Sequence, residues 1–375
     1  MRRSLYLAAG VSAAMVAVTA TVPADATEDR ATPHAKAAAF KVVADNLHNP
    51  RQLVFAHGDL YIAEAGQGGN GTCIPGGEGP QCFGKTGSVT RVRDGVQKRV
   101  LKGLASLGGE GTGESALGAS DLMVIGKHRL VLSMGLGSNP KNRKDLPKLG
   151  RKQLGHLLSF NLHTKKFSSL GDLAAHEAKA NPVDNRDSDP TGLVKAGKRG
   201  FLVTDSGGNT LVRVKGGKVK GVAAFQDRMG VSPVTGPDPV KYQIVPTDVV
   251  KGPDGAYYVS ELTGFPFIEG AARIWRIVPG HKPHVWAKGL TNVTSLAFDG
   301  KKLYAVQISD QGLVVGGPTG SLVRVFSKKS GKAAQPIATG LFAPYGVAIR
   351  GDNAFVSVGA VAPTGGQVLK IPLVP

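Results

Sequence analysis

The sequence predicts an all-β protein folded as a six-bladed β-propeller, and three observations carry that prediction. A phrase of three short strands recurs six times in order along the chain. Within the phrase, apolar and polar residues alternate with the period of a β-strand. The 52 glycines and 23 prolines fall at turns between these strands and not in one biased tract. A β-sandwich is the alternative, but a sandwich does not require one phrase repeated six times.

The phrase opens with a turn and a small apolar strand, continues with an alternating strand, and ends with a third strand near a basic residue. The openings are 49–54, 119–123, 189–194, 245–250, 292–297 and 343–348. The second strands are 60–63, 130–133, 201–204, 257–260, 303–306 and 354–357. The third strands begin at 88–92, 156–160, 210–214, 273–277, 321–325 and 367–371. Radial sheets of this kind bury both faces of each blade.

Spacing between the phrases locates the insertions. Counted from Leu53, the openings follow one another after 69, 71, 56, 47 and 51 residues. A four-stranded blade needs roughly 40–50 residues, so the first two or three blades should carry extra segments. A fourth, outer strand is visible at 98–101 and 284–287.

The N-terminus reads as a targeting segment. Arg2 and Arg3 precede the apolar stretch 5–22, and 23–26 offers a cleavage site after Ala26. We therefore predict a signal peptide at 1–26, a disordered leader at 27–39 and the propeller domain at 40–375. An N-terminal membrane anchor is the alternative. No later segment is apolar for long enough to span a bilayer, so we expect a secreted, extracellular protein whose mature chain has no transmembrane segment.

Two cysteines, Cys73 and Cys82, stand close together in the first blade. An even count in an exported protein favours a disulfide that fixes a local loop. A metal-binding pair is the alternative.

The formal charge of +19 suggests anionic partners. Most lysines flank predicted turns, as on a solvated rim, whereas Lys141–Lys152 forms a basic patch with one acid, Asp145. An anionic cell-wall polymer is the partner that this patch would suit, and nucleic acid is not expected.

Several segments resemble a known family. Asn49–Leu53, Tyr61–Gly69, the Cys73–Cys82 loop, Thr86–Arg91, Gly252–Gly255 and Ser260–Phe267 are similar to the ScyD/ScyE family, named for a scytonemin biosynthesis gene cluster. The resemblance runs from about Phe40 to the C-terminus. It implies a propeller of the type found in NHL-repeat and gluconolactonase-like proteins, and export. It implies no defined reaction.

Candidate site residues come from the loops that should converge on the propeller axis. Loops entering the inner strands supply Arg51, Asp121, Asp189, Asp248 and Tyr345, and loops leaving the second strands supply Glu64, Asp205, Glu261 and Asp310. From these we predict a ligand-binding set of Arg51, Glu64, Asp121, Asp205, Asp248, Glu261 and Tyr345. Clustered carboxylates suit Ca²⁺ or acid–base chemistry, although such side chains also cap turn amides.

These features favour a secreted binding propeller that holds a small molecule or a metal, with Ca²⁺ as the candidate cofactor. The alternative function is a metal-dependent hydrolase of the lactonase type. The sequence has neither an H-E-x-x-H nor a G-x-S-x-G motif, and it assigns no catalytic residue.

Overall fold

A computed structural model describes residues 40–373 of the chain. The predicted signal peptide and leader, 1–26 and 27–39, lie outside the described residues and remain predictions. The strands of the first two blades, preceded by β1, are β1 Lys41–Leu47, β2 Pro50–Ala56, β3 Asp59–Glu64, β4 Cys73–Gly76, β5 Gly79–Arg93, β6 Val96–Gly109, β7 Ala119–Ile125, β8 Arg129–Met134, β9 His156–Asn161 and β10 Phe167–Asp172. The next are β11 Pro190–Lys195, β12 Gly200–Asp205, β13 Thr210–Lys215, β14 Lys218–Ala224, β15 Arg228–Val231, β16 Pro239–Tyr242, β17 Pro246–Lys251, β18 Tyr257–Glu261, β19 Ala272–Ile277 and β20 His284–Leu290. The last are β21 Val293–Asp299, β22 Lys302–Gln307, β23 Thr319–Val325, β24 Gln335–Phe342, β25 Val347–Arg350, β26 Asn353–Val358 and β27 Gly366–Pro372.

Strand pairing confirms the six-bladed β-propeller. Blades I to V are the antiparallel sheets β2-β3-β5-β6, β7-β8-β9-β10, β11-β12-β13-β14, β17-β18-β19-β20 and β21-β22-β23-β24. In each blade the first strand in sequence lies innermost and the fourth outermost. The predicted outer strands 98–101 and 284–287 fall within β6 and β20.

Blade VI joins the two ends of the described chain. Its three inner strands are β25, β26 and β27, and its outer strand is β1, which pairs with β27 from Lys41↔Lys370 to Leu47↔Gly366. The sequence analysis did not predict this closure.

The hydrophobic core lies between neighbouring blades. Leu101 and Leu104 of blade I pack with Leu132 and Phe160 of blade II, and equivalent clusters join the later blades. Second strands such as β3 and β12 are therefore buried on both faces, which explains their apolar residues, whereas the outer strand β14 is largely exposed.

The predicted insertions occur in blades I to III. Blade I carries the β4–β5 hairpin, and blade II carries a 3₁₀ turn, Pro140–Asp145, with helices α1 Lys148–Gln153 and α2 Leu173–Ala180. The β15–β16 hairpin follows blade III, and a short helix, α3 Leu313–Gly316, lies in blade V. No helix of the described residues is long and apolar enough to cross a membrane.

Candidate functional site

The loops predicted to converge do meet at one end of the propeller axis, around a cavity of about 350 Å³. Every blade contributes an entering loop to its wall, through Arg51, Ser120, Asp189, Thr247, Thr294 and Tyr345. Every blade also contributes the loop after its second strand, through Ala65, Gly135, Ser206, Leu262, Ile308 and Val361. We call this space the axial cavity.

A chain of side-chain hydrogen bonds fixes the loops around the axial cavity. Hydroxyls of one blade donate to backbone carbonyls of the next. The bonds run from Ser133 to Thr191, Thr204 to Thr247, Thr247 to Val293, Thr294 to Tyr345 and Ser357 to Arg51. Arg51 links blade I to the loop before blade II, since its Nη2 donates to the Ala116 carbonyl over 2.6 Å. The loops are therefore held in place before any ligand arrives.

Arg51 and Tyr345 lie together in the cavity wall. The Arg51 guanidinium stacks on the Tyr345 ring, 4.7 Å from its centroid. Burial raises the pKa of the Tyr345 phenol, so the ring stays neutral at physiological pH. This pair offers a cation and an aromatic face to a bound molecule.

Asp121 and Asp248 are buried among the inner strands, and neither lines the axial cavity. Asp121 accepts from the amides of Leu122 and Leu193, and Asp248 accepts from those of Val249 and Leu296. Each carboxyl thus joins its own inner strand to that of the following blade. Burial raises the pKa of both groups, that of Asp248 to about 6, and the nearby Asp248 charge raises the pKa of Asp121 further.

Glu64 and Glu261 are fully buried at the ends of their strands and point along the blade faces. Glu64 binds Arg99, with 2.7 Å between Oε2 and Nη2, and accepts from Ser88 and Thr90. These bonds outweigh the effect of burial and lower its pKa. Glu261 pairs with Arg228 and accepts from the Trp275 indole at 3.0 Å. Burial nevertheless raises the pKa of Glu261 to about 7. Both acids have internal partners.

The acidic side of the axial cavity comes from the loop before blade III. Asp187 and Asp189 line the cavity, and Asp205 lies directly behind them. Burial, together with Asp187 and Asp205, raises the pKa of Asp189 to about 7, although Arg51 opposes this shift. Burial raises the pKa of Asp205 to about 6. Asp310 accepts hydrogen bonds from the side chains of Gln307 and Ser321 in blade V. It is not among the described residues that line the axial cavity.

Of the predicted binding set, then, the structure brings Arg51 and Tyr345 to the cavity, places Asp205 behind its wall, and positions Glu64, Asp121, Asp248 and Glu261 elsewhere. Sequence reasoning missed Asp187 and, next to Asp205, Glu177 of α2. The sequence did contain a signal for Asp187, because Asp187 and Asp189 are two residues apart directly before the inner strand β11. Glu177 carries no such signal.

The Cys73–Cys82 disulfide is formed, as predicted, and joins directly paired residues of the β4–β5 hairpin. The hairpin reaches over the axial cavity, since Gly77, Glu78 and Gln81 belong to the cavity lining. The predicted alternative of a cysteine metal site is excluded, because both sulfurs are in the disulfide.

A second depression lies between blades I and II, with a volume of about 1090 Å³. Its floor is apolar and includes Tyr61, Leu104 and Phe160. Its rim is basic: Arg91, Arg93, Lys98, Arg99, Lys102, Lys127 and Lys165, with His57, His128 and His163. No carboxylate occurs among the described residues that line it. We call this space the basic groove.

Some of the basic side chains in the patch predicted at Lys141–Lys152 are already paired within the protein. Arg143 pairs with Asp172 at 2.7 Å, and Arg151 donates to the Leu146 carbonyl. Leu149 and Gln153 of the same segment border the basic groove. The exposed cations of this region therefore adjoin a larger basic surface.

No protein-family model matches the chain, and no curated protein sequence matches it. Among solved structures, a virginiamycin B lyase from Staphylococcus aureus with quinupristin is 12% identical, with a TM-score of 0.44, over 88% of this chain and 99% of the other. A glucose dehydrogenase is 15% identical, with a TM-score of 0.48, over 88% and 98%. A PQQ-bound aldose sugar dehydrogenase from Streptomyces coelicolor is 14% identical, with a TM-score of 0.40, over 67% and 81%. These likenesses carry no functional argument, and the fold assignment rests on the strand pairing described above.

Proposed function

We propose that this protein is an exported binding propeller that holds a small polar molecule in the axial cavity. The observation that carries the proposal is that every blade supplies two segments to one pre-organised cavity, one at the start of its inner strand and one after its second strand. Its volume of about 350 Å³ lies at the small end of the range for ligand pockets. Membership of the ScyD/ScyE family remains a prediction within this proposal.

The lining indicates the chemistry of the ligand. Arg51 supplies a cation, and Asp187 and Asp189 supply carboxyls. A molecule with both hydrogen-bond donors and acceptors, such as a polyhydroxylated or zwitterionic compound, satisfies this wall. An apolar ligand would leave these groups unpaired at a cost of about 1–3 kcal/mol each.

The test is a thermal-shift screen of the purified chain against sugars, amino acids, lactones and phosphoesters. We expect at least one class to raise the melting temperature of the wild type and to lose this effect in Arg51→Gln and Asp189→Asn. Lys328→Gln, at an exposed turn remote from the cavity lining, serves as the matched control. A hit that both cavity variants retain in full would refute the proposed site.

The hydrolase alternative gains less from the structure. Two of the acids that would hold its metal, Glu64 and Glu261, are bound to arginines, and Asp121 and Asp248 are bound to backbone amides. Lactone and phosphoester turnover, measured with and without chelator, tests it directly. Chelator-sensitive turnover would restore this alternative.

The basic groove supports a second candidate function, attachment to an anionic cell-wall polymer. Its exposed Lys98, Lys102 and Lys127 have no ion-pair partner among the described residues, whereas Arg93 and Arg99 are paired with Asp59 and Glu64. A linear polyanion supplies repeated negative charges to such a rim.

Retention on isolated cell walls tests this function, because electrostatic binding weakens as salt rises. We expect the double variant Lys98→Glu, Lys102→Glu to lose salt-sensitive retention. The control is Lys141→Glu, Lys144→Glu in the neighbouring patch, which should retain most of it. Equal loss in both variants would favour diffuse charge over the groove.

A further inference from the structure

Equivalent positions in three blades provide an internal comparison. Glu64, Asp205 and Glu261 are each the last residue of the second strand of their blade, and each is buried. In blades I and IV the carboxylate meets an arginine, Arg99 or Arg228. In blade III, Asp205 has no such partner among the described ion pairs, and its neighbours are three further acids, Glu177, Asp187 and Asp189. Blade III lacks the cation that its counterparts have.

Glu177 is the least compensated of these acids. Glu177 is only 1% exposed, and its Oε1 has no hydrogen-bond partner. Its Oε2 faces Gly208, where an added Cβ would come within 2.6 Å. The Gly208 amide itself donates to Asp205. Glu177 therefore points into the same space as Asp205.

Two more oxygens in this region lack donors. Oδ1 of Asp187 and Oδ1 of Asn181 are buried without a partner. Asn181 caps the C-terminal end of α2, and its backbone amide donates to the Glu177 carbonyl. Gly207 lies against the Asp187 carboxyl: a Cβ at this position would come within 2.9 Å of the carboxyl carbon. Because residue 207 is a glycine, the Asp187 side chain has space there.

Buried carboxylates without a counter-charge are costly and must be neutralised. A proton on Glu177 would satisfy at most one neighbouring acceptor. A hard cation takes six to eight oxygen ligands and prefers carboxylate and amide oxygens. One such cation could therefore coordinate all of the oxygens that lack a hydrogen-bond donor.

We propose that Glu177, Asp187 and Asp205, with the amide oxygen of Asn181, form a Ca²⁺ site in blade III. In the described part of the chain, the oxygens of these three carboxyls do not all lie within 4.8 Å of one another. Ion binding therefore requires the three side chains to move closer together. Because Asp187 also lines the axial cavity, the ion lies next to that cavity. The site does not depend on the cavity holding a ligand.

Calorimetric titration of the full chain with CaCl₂ after chelator treatment, at pH 7.5, tests the site. We expect one Ca²⁺ per chain and a rise in melting temperature that saturates with Ca²⁺. Glu177→Gln and Asp187→Asn should each weaken binding by about tenfold or more. Glu269→Gln, at an exposed acid of blade IV, is the matched control and should bind as the wild type does.

A charge-replacement variant separates ion binding from simple removal of repulsion. Glu177→Lys supplies a cation of the kind that Arg99 and Arg228 supply in blades I and IV. We expect it to melt at least as high in chelator as the wild type and to show no Ca²⁺ response. Absence of saturable Ca²⁺ binding by the wild type overturns the proposal without any variant, as does unchanged Ca²⁺ affinity in a folded Glu177→Gln or Asp187→Asn chain.

Discussion

Raising the pH from 5 to 8 in chelator should destabilise this protein. A carboxyl whose folded-state pKa is raised favours folding while it is protonated, and its contribution is lost as the pH rises through that pKa. Asp189, with a pKa of about 7, Asp205 and Asp248, with pKa values of about 6, and Glu177, with a pKa of about 8, all behave in this way. Stability should therefore fall across this window and not rise.

The magnitude follows from Asp189 alone. Moving its pKa from 3.8 to about 7 corresponds to roughly 4 kcal/mol of folding free energy lost between about pH 4 and pH 7, of which roughly 3 kcal/mol is lost between pH 5 and pH 8. For a domain of this size, such a loss lowers the melting temperature by roughly 5–10 °C. At the acid end, Asp59, Glu64 and Asp172 have lowered pKa values, so their contributions are lost below about pH 4. The stability maximum should lie near pH 4, where the rise and the fall meet.

Thermal denaturation followed by circular dichroism, in chelator at several pH values, measures this dependence. Asp189→Asn should flatten the fall between pH 5 and pH 8, whereas Asp94→Asn, at an exposed turn, should leave it unchanged. A melting temperature that is constant or rises over this range would refute the reasoning.

Three further predictions concern stability. Gly84→Ala should destabilise the fold by about 2 kcal/mol or more, because the new Cβ would overlap the Gly68 carbonyl in the first blade. Gly221→Ala, where nothing lies within 4 Å and φ is not positive, is the control for denaturant unfolding. The Cys73→Ser, Cys82→Ser variant should lose roughly 2–3 kcal/mol from a loop of this length, and a denaturation midpoint equal to that of the wild type would contradict this. Arg51→Ala should raise the pKa of Asp189 further, because Arg51 now lowers it, and so extend the fall in stability to higher pH; a fall that ends at the same pH as in the wild type would show that the two groups are not coupled.

The sequence was sufficient for the blades because each blade repeats one local pattern. Strands around Leu53, Leu122 and Leu193 alternate clearly, and both outer strands that were visible, at 98–101 and 284–287, form. Closure through β1 was missed, since a single strand at Lys41–Leu47 does not reveal that its partner, β27, lies more than 300 residues away.

Side-chain direction limited the prediction of the site. In a strand, successive residues point to opposite faces. The strand-end positions of Glu64 and Glu261 were identified, but not the arginines that engage them, Arg99 of β6 and Arg228 of the β15–β16 hairpin. Ala65 and Leu262, one residue later, line the axial cavity instead. Glu177 was invisible because α2 is an insertion outside the repeat, and only folding brings it to Asp205.

The pairing of β1 with β27 has a consequence for how the molecule is assembled. Blade VI is complete only when residues from both ends of the described chain meet, so the ring cannot be sealed until Gly366–Pro372 has been synthesised. Before that moment β1 lacks its partner strand and leaves an unpaired row of amides and carbonyls, the kind of edge that recruits other chains. The seven residues of β1 thus close the propeller. Their removal should leave β27 as an unpaired edge strand and make the protein prone to associate.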